Sequence, residues 1–151
     1  DYVKLKNLFN KKRLVEIRNY CVAHNTENQN KFFAFLKKNG YKLVTKPLKV
    51  IKVPEIEKGD LRKANFDVEV AIDVLERVDK FDTLVLFSGD SDFDYLVRKL
   101  RARGKRVIVI SSKYHISKEL IRSSNKYIDL KKLRGFIERK NKKSPSFSTG
   151  S

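Results

Sequence analysis

The ten residues LVLFSGDSDF, at positions 84–93, contain an apolar run that ends in a glycine turn with two carboxylates. The apolar run predicts a buried strand, and the apolar residues from Phe93 to Leu100 recur at helical spacing. Asp90 and Asp92 are therefore expected in a strand-to-helix turn. In open parallel sheets, ligands bind at this edge, outside the carboxyl ends of the strands.

Two carboxylates in one tight turn can bind a single hard cation such as Mg²⁺, which prefers oxygen ligands. The same residues also have a structural interpretation, in which Asp92 caps the helix and Asp90 is a turn residue. The turn alone does not decide between these two interpretations.

The composition indicates one folded domain. A length of 151 residues and a hydrophobic fraction of 40% suit a single core. We assign residues 1–140 to this domain and 141–151 to a disordered polar tail. No membrane-spanning segment or signal peptide is evident, so we expect a soluble, cytoplasmic protein. The single cysteine, Cys21, is expected to be a small buried residue.

The charge balance indicates a polyanionic partner. The chain has 35 Lys and Arg against 18 Asp and Glu, which gives a net charge of +17. Such a surface attracts nucleic acid. Basic residues are densest over 131–143, which we interpret as a phosphate-binding arm, with a solvated helix as the alternative.

The rest of the chain alternates between helices and strands. Helices are predicted over residues 1–9, 28–38, 66–78, 92–103, 117–122 and 131–143. Strands are predicted over residues 15–22, 41–54 (one strand or a hairpin), 83–87, 106–111 and 127–130. Residues 55–63 are expected to form a charged loop. This alternation is typical of an α/β fold with a parallel sheet covered on both faces.

The helix predicted over 66–78 carries further acidic residues. Its apolar stripe is expected to consist of Val68, Ala71, Ile72 and Leu75. With this stripe against the core, Asp67 can point into a cleft and Asp73 points to water, so we expect Asp73 to be solvated or ion-paired, with a catalytic role as the alternative. The alternative for Asp67 is a charge favoured by the amino-terminal end of a helix.

Taken together, these motifs resemble the LabA-like group of NYN domains, within the PIN-like ribonuclease superfamily. The resemblance extends over about residues 1–130. It rests on Lys63-x-x-x-Asp67, Asp73, SGDSDF at 88–93, GKRV at 104–107 and ISKEL at 116–120. It implies a PIN-like (Rossmann-like) α/β fold, with a mostly parallel sheet flanked by helices.

The resemblance also implies a site for Mg²⁺ or Mn²⁺. Carried over residue by residue, it makes Asp67, Asp90 and Asp92 the metal-binding and catalytic residues. Ser88 becomes a supporting hydroxyl, and Asp73 a less secure acidic position.

One departure from the family pattern concerns the first strand. In the family this strand ends in an Asp that binds the metal, and no residue of this chain occupies that position. Asp1 lies in the following helical region and does not replace it. Because the strand would be central in a sheet ordered 3-2-1-4-5, and because the sequence contains no Met, we expect the intact protein to have a strand before Asp1.

The function implied by the resemblance is a metal-dependent endoribonuclease that acts on single-stranded or structured RNA. Basic side chains are predicted to contact the RNA: Lys63, Lys113, Arg122, Lys131, Lys132 and Arg134. His115 is a weaker candidate for substrate contact. A non-catalytic RNA-binding or regulatory module is one alternative, and a phosphotransfer or phosphatase domain, without an evident nucleophilic Asp motif, is another. The sequence leaves open whether the protein forms a homo-oligomer.

Overall fold

The computed structural model describes residues 1–10, 13–47, 49–51, 61–63 and 65–139. Its helices are α1 (Tyr2–Asn10), α2 (Glu27–Lys38), α3 (Asp67–Glu76), α4 (Asp94–Ala102), α5 (Lys118–Ser123) and α6 (Arg134–Ile137). Its strands are β1 (Arg18–Ala23), β2 (Lys42–Pro47), β3 (Lys49–Ile51), β4 (Leu61–Lys63), β5 (Thr83–Phe87), β6 (Arg106–Ser111) and β7 (Lys126–Asp129). Short 3₁₀ turns lie at Val78–Lys80, Ser91–Phe93 and Leu130–Leu133.

The strands form two parallel sheets and one antiparallel pair. β1 pairs with β2, with Arg18 opposite Lys42. The other parallel sheet has the order β5-β6-β7, with Thr83 opposite Arg106. β3 and β4 form the antiparallel pair. The predicted α/β class, with parallel sheets flanked by helices, is confirmed.

Helix α1 contacts elements associated with both parallel sheets. Near its carboxyl end, Phe9 packs edge-on against Phe87 of β5, with ring centroids 6.2 Å apart. At its amino end, Tyr2 contacts Phe32 of α2 at 5.3 Å, and Asp1 accepts hydrogen bonds from the first backbone N–H groups of the helix. Helix α1 thus contacts β5 of one sheet and α2, the helix that connects β1 and β2 of the other.

The main core lies between α4 and the three-stranded sheet. Its buried side chains are Leu86, Phe93, Leu96, Val97, Leu100, Val107, Val109 and Leu120. The helical spacing predicted after residue 93 is therefore confirmed. Helix α4 is followed by Gly104 at φ +74°, the left-handed conformation in which glycine commonly ends a helix.

The predicted apolar stripe of α3 is wrong. Val70, Ala71 and Val74 pack against the core, whereas Val68 and Ile72 are 67% and 52% exposed. Apolar residues cover most of the circumference of this helix, so periodicity alone did not determine which face is buried.

The direction predicted for Asp73 is wrong for the same reason, although the ion pair that was one of the two expectations for it is present. Instead of pointing to water, Asp73 faces β1, where it accepts a hydrogen bond from the Tyr20 hydroxyl at 2.8 Å and pairs with Arg18 at 2.7 Å. Burial and the bond to Asp73 raise the pKa of Tyr20 to about 12.

Several element boundaries also differ from the predictions. Strand β4 falls inside the predicted charged loop, where its three residues pair with β3. Near the carboxyl end, the predicted basic helix is a 3₁₀ turn followed by the single-turn α6, and residues 140–151, including the predicted tail, lie outside the described residues. None of the helices in the described ranges is long and apolar enough to cross a membrane.

Candidate metal centre

The turn after β5 is held by its own polar groups. Ser88 Oγ accepts a hydrogen bond from Asp90 N at 3.2 Å, and Asp90 Oδ1 accepts one from Asp92 N at 3.0 Å. Phe93 is 6% exposed and anchors the end of the turn in the core. Asp90 and Asp92 are consequently presented to solvent from a fixed backbone.

Gly89 allows the loop after β6 to pack against this turn. A Cβ atom at Gly89 would lie 1.9 Å from the carbonyl oxygen of His115, so no larger residue fits without movement. The carbonyl of Gly89 also accepts a hydrogen bond from Ser117 N at 2.9 Å. The turn after β5 and the loop after β6 therefore form one continuous surface.

The third carboxylate comes from the first residue of α3. Asn65 Nδ2 donates to Asp67 Oδ2 at 2.6 Å, and Asp67 N donates to Asn65 Oδ1 at 2.7 Å. This reciprocal pair fixes the Asp67 side chain at the start of the helix. Asn65 was not predicted as a site residue, although Asn often accepts a hydrogen bond from the backbone N–H two residues on, in an Asx-turn.

The three carboxylates converge. One oxygen from each of Asp67, Asp90 and Asp92 lies within 4.8 Å of the others; Asp67 is half-buried and the other two are exposed. Oxygen ligands bind Mg²⁺ at about 2.0–2.1 Å and Ca²⁺ at 2.3–2.6 Å, so atoms at this separation can share one cation. The set contains oxygen donors only, which suits a hard cation such as Mg²⁺ or Mn²⁺.

The other predicted site residues divide into two groups. Ser88 supports the turn, as its hydrogen bond to Asp90 N shows. Asp73, in contrast, forms an ion pair with Arg18, accepts a hydrogen bond from Tyr20 and lies outside the carboxylate cluster.

The predicted RNA-contacting residues are also dispersed. Lys113, Lys131 and Arg134 line one groove. Arg122 lines a different depression, with Asp94 and Glu119. Lys132 is exposed on the 3₁₀ turn after β7, and the side chain of Lys63 lies outside the described part of the chain.

His115 lies in the loop after β6. Its Nδ1 is 2.6 Å from Ser112 Oγ, and its side chain is exposed. Its contact with substrate remains a prediction.

Comparison with known proteins gives similarities over most of the chain. The family model of the NYN domain matches residues 1–131. The low amplitude and bright protein LabA of Synechococcus elongatus is 32% identical over 151 residues, which cover 98% of this chain and 81% of that protein. An uncharacterised protein of Methanocaldococcus jannaschii is 41% identical over 61 residues, 39% of this chain and 23% of its own length.

A solved structure is also similar. The crystal structure of a protein of unknown function from Vibrio parahaemolyticus matches with a TM-score of 0.70 and 27% sequence identity. The match covers 86% of this chain and 78% of the other.

Proposed function

Because this chain belongs to the NYN domain family, we propose that it is a metal-dependent endoribonuclease that hydrolyses RNA phosphodiesters. The observation that supports this proposal most strongly is the convergence of Asp67, Asp90 and Asp92 within 4.8 Å. Three separate carboxylates would repel one another, and a shared cation offsets that repulsion. The net charge of +17 favours a polyanionic substrate.

Asp67, Asp90 and Asp92 would hold Mg²⁺ or Mn²⁺, and each has a defined support. Asp67 is oriented by Asn65, and the turn that carries Asp90 and Asp92 is fixed by Ser88 and Phe93. A divalent cation bound there would activate water and offset the charge that develops on the phosphate. Charged groups that are held in place before the reaction stabilise the transition state of hydrolysis.

The reaction replaces one bond to phosphorus by another. The oxygen of a water molecule forms a bond to phosphorus and the water gives up a proton. The bond between phosphorus and one ribose oxygen breaks, and that ribose oxygen takes a proton. Lys113 would contact the RNA phosphates; it is exposed in the loop after β6, which packs against Gly89. Cytoplasmic location stays a prediction.

The alternative function is a non-catalytic RNA-binding or regulatory module. Two of the three carboxylates are exposed, and within the described residues no fourth acidic group joins the cluster. A site of this kind can bind a cation weakly without supporting hydrolysis. The basic surface would then be the functional feature.

A cleavage assay separates the two functions. Varied RNAs are incubated with the full-length protein in Mg²⁺ or Mn²⁺ and, in parallel, with a chelator. We expect metal-dependent cutting that Asp90→Asn abolishes, because the amide keeps the shape of the turn and removes a negative ligand. RNA binding by this variant should be equal or slightly tighter, since one repulsive charge is lost.

Asp94→Asn is the matched control. Asp94 begins α4 and pairs with Arg98 at 2.8 Å, outside the carboxylate cluster. This variant should cut RNA at the parental rate. If the parent protein binds RNA but shows no metal-dependent cutting, or if Asp90→Asn cuts as well as the parent, the binding module replaces the enzyme.

A further inference from the structure

The loop after β6 exposes an aromatic ring that does not pack in the hydrophobic core. The Tyr114 side chain is 81% exposed, the largest value among the exposed large apolar side chains in the described ranges. Lys113 Nζ lies 4.8 Å from the centroid of its ring. Tyrosine rings usually stabilise a protein by burying their apolar surface. A ring that stays in water does not make this contribution.

The position of Tyr114 follows from the contact between two loops. Its neighbour His115 contacts Gly89 through the backbone, and Gly89 directly precedes Asp90. β5 and β6 are parallel neighbours, so the segments that follow them leave the same edge of the sheet. Tyr114 is thus presented at the sheet edge that carries the carboxylate cluster.

Tyr114 also forms part of a basic groove. With Lys113 it lines a groove of about 550 Å³, whose lining includes Lys131, Arg134 and Arg139. This volume is in the range of about 300–1,000 Å³ found for ligand sites. The groove is therefore large enough to receive one nucleotide.

Three acidic residues, Asp1, Asp129 and Glu138, also line the groove. Glu138 pairs with Arg134 at 2.9 Å, and the carboxylates of Asp1 and Asp129 accept hydrogen bonds from backbone N–H groups. In contrast, Lys113, Lys131 and Arg139 form no ion pair with any residue of the described ranges. The groove consequently offers cations to a phosphate backbone next to an exposed ring.

We propose that Tyr114 stacks against a base of single-stranded RNA, while Lys131 and Arg139 contact the phosphates beside that base. The inference rests on the proposed function, because it makes the groove a subsite next to the carboxylate cluster. A flat ring accepts any base, so this contact positions the strand and supplies affinity without sequence preference.

The test measures binding in the presence of a chelator, so that cutting plays no part. The probe is a short single-stranded RNA with one 2-aminopurine, whose fluorescence falls when it stacks. Tyr114→Ala should weaken binding about tenfold, the order expected for one stacked base, and should remove the quenching at one probe position. Tyr114→Phe should keep both.

Tyr95→Ala is the matched control. Tyr95 is 62% exposed and lies 5.1 Å from Lys99 Nζ, but it does not line the groove. Its replacement should leave affinity and quenching unchanged. In addition, an RNA that lacks the base at the quenched position should bind the parent about tenfold less tightly and should bind Tyr114→Ala with no further loss.

The remaining outcomes decide against the subsite. If Tyr114→Ala binds as tightly as the parent, if Tyr95→Ala loses as much, or if the parent binds no RNA, then Tyr114 is not a stacking platform. Quenched binding without any cleavage would contradict the enzyme and leave the stacking subsite standing. Loss of the stacking subsite and loss of the enzyme can therefore be observed separately, and only a parent that binds no RNA would contradict both.

Discussion

At the scale of single residues, the candidate site depends on Asn65 as much as on the carboxylates. Asn65 exchanges two hydrogen bonds with Asp67, one with its carboxylate and one with its backbone. Since Asp67 is the half-buried member of the cluster, its orientation determines whether the three oxygens meet.

We expect Asn65→Ala to weaken Mn²⁺ binding about tenfold, the lower end of the effect of losing a residue that orients a metal ligand. Isothermal titration with MnCl₂ measures the change. Asn30→Ala, at an exposed position of α2, serves as the control and should bind Mn²⁺ like the parent. Equal affinity in Asn65→Ala would show that Asp67 needs no such support.

Gly89 is the second residue on which the site depends. Gly89→Ala forces a Cβ atom against the backbone of His115, and neither segment can move freely. The free energy of unfolding should fall by about 1–3 kcal/mol, the usual cost of overpacking. Urea denaturation measures it. Gly135→Ala, where nothing lies within 4 Å of the added Cβ, should leave stability nearly unchanged.

At the scale of elements, α3 connects the site to the core. Its first residue supplies Asp67, and its buried face determines where that carboxylate points. We expect Val74→Ala to lower the free energy of unfolding by about 1–2 kcal/mol, because Val74 packs on the core. Ile72→Ala should have little effect, since Ile72 is 52% exposed. If urea denaturation showed a larger loss for Ile72→Ala than for Val74→Ala, the result would support the apolar stripe predicted from sequence.

The elements also show what the sequence could predict. β5, β6 and α4 were predicted because uninterrupted apolar runs and one clear helical stripe admit a single interpretation. The position of α3 along the chain was predicted correctly. Its buried face was predicted wrongly, because two faces of this helix are apolar.

For the candidate site, the family resemblance brought together the three residues whose oxygens the structure places within 4.8 Å. Asn65 was missed because a hydrogen bond between neighbouring side chains leaves no periodic signal. The groove beside Tyr114 was missed because distant segments meet there.

At the scale of the whole molecule, an ion-pair network connects the two parallel sheets through α3. Glu16, just before β1, pairs with Lys42 at 2.9 Å and also contacts Arg18. Arg18 pairs in turn with Asp73 of α3, and α3 packs on the core of the three-stranded sheet. Partial burial alone would raise the pKa of Glu16, but the bonds from Arg18 and Lys42 lower it.

Glu16→Gln should therefore lower the free energy of unfolding by about 1 kcal/mol at neutral pH. A lowered folded-state pKa means that ionised Glu16 stabilises the fold above its unfolded-state pKa. That contribution is lost as pH falls through the folded-state value. The difference between parent and variant, followed by urea denaturation across pH, should thus shrink in acid.

Glu27→Gln is the control for this network. Glu27 pairs with Lys31 on the surface of α2, where the Glu27 side chain is 81% exposed, so its loss should change little at any pH. A Glu16→Gln deficit that stays constant down to acid pH would contradict the electrostatic explanation.

The central claim is that Asp67, Asp90 and Asp92 bind one divalent cation. Anomalous diffraction from a crystal grown with MnCl₂ tests it most directly, because the manganese signal locates the ion without reference to activity. We predict an anomalous peak bonded to one oxygen from each of the three carboxylates, and its loss in Asp90→Asn. If the only manganese peaks lie at other sites, or if no peak appears at saturating MnCl₂, the claim is contradicted.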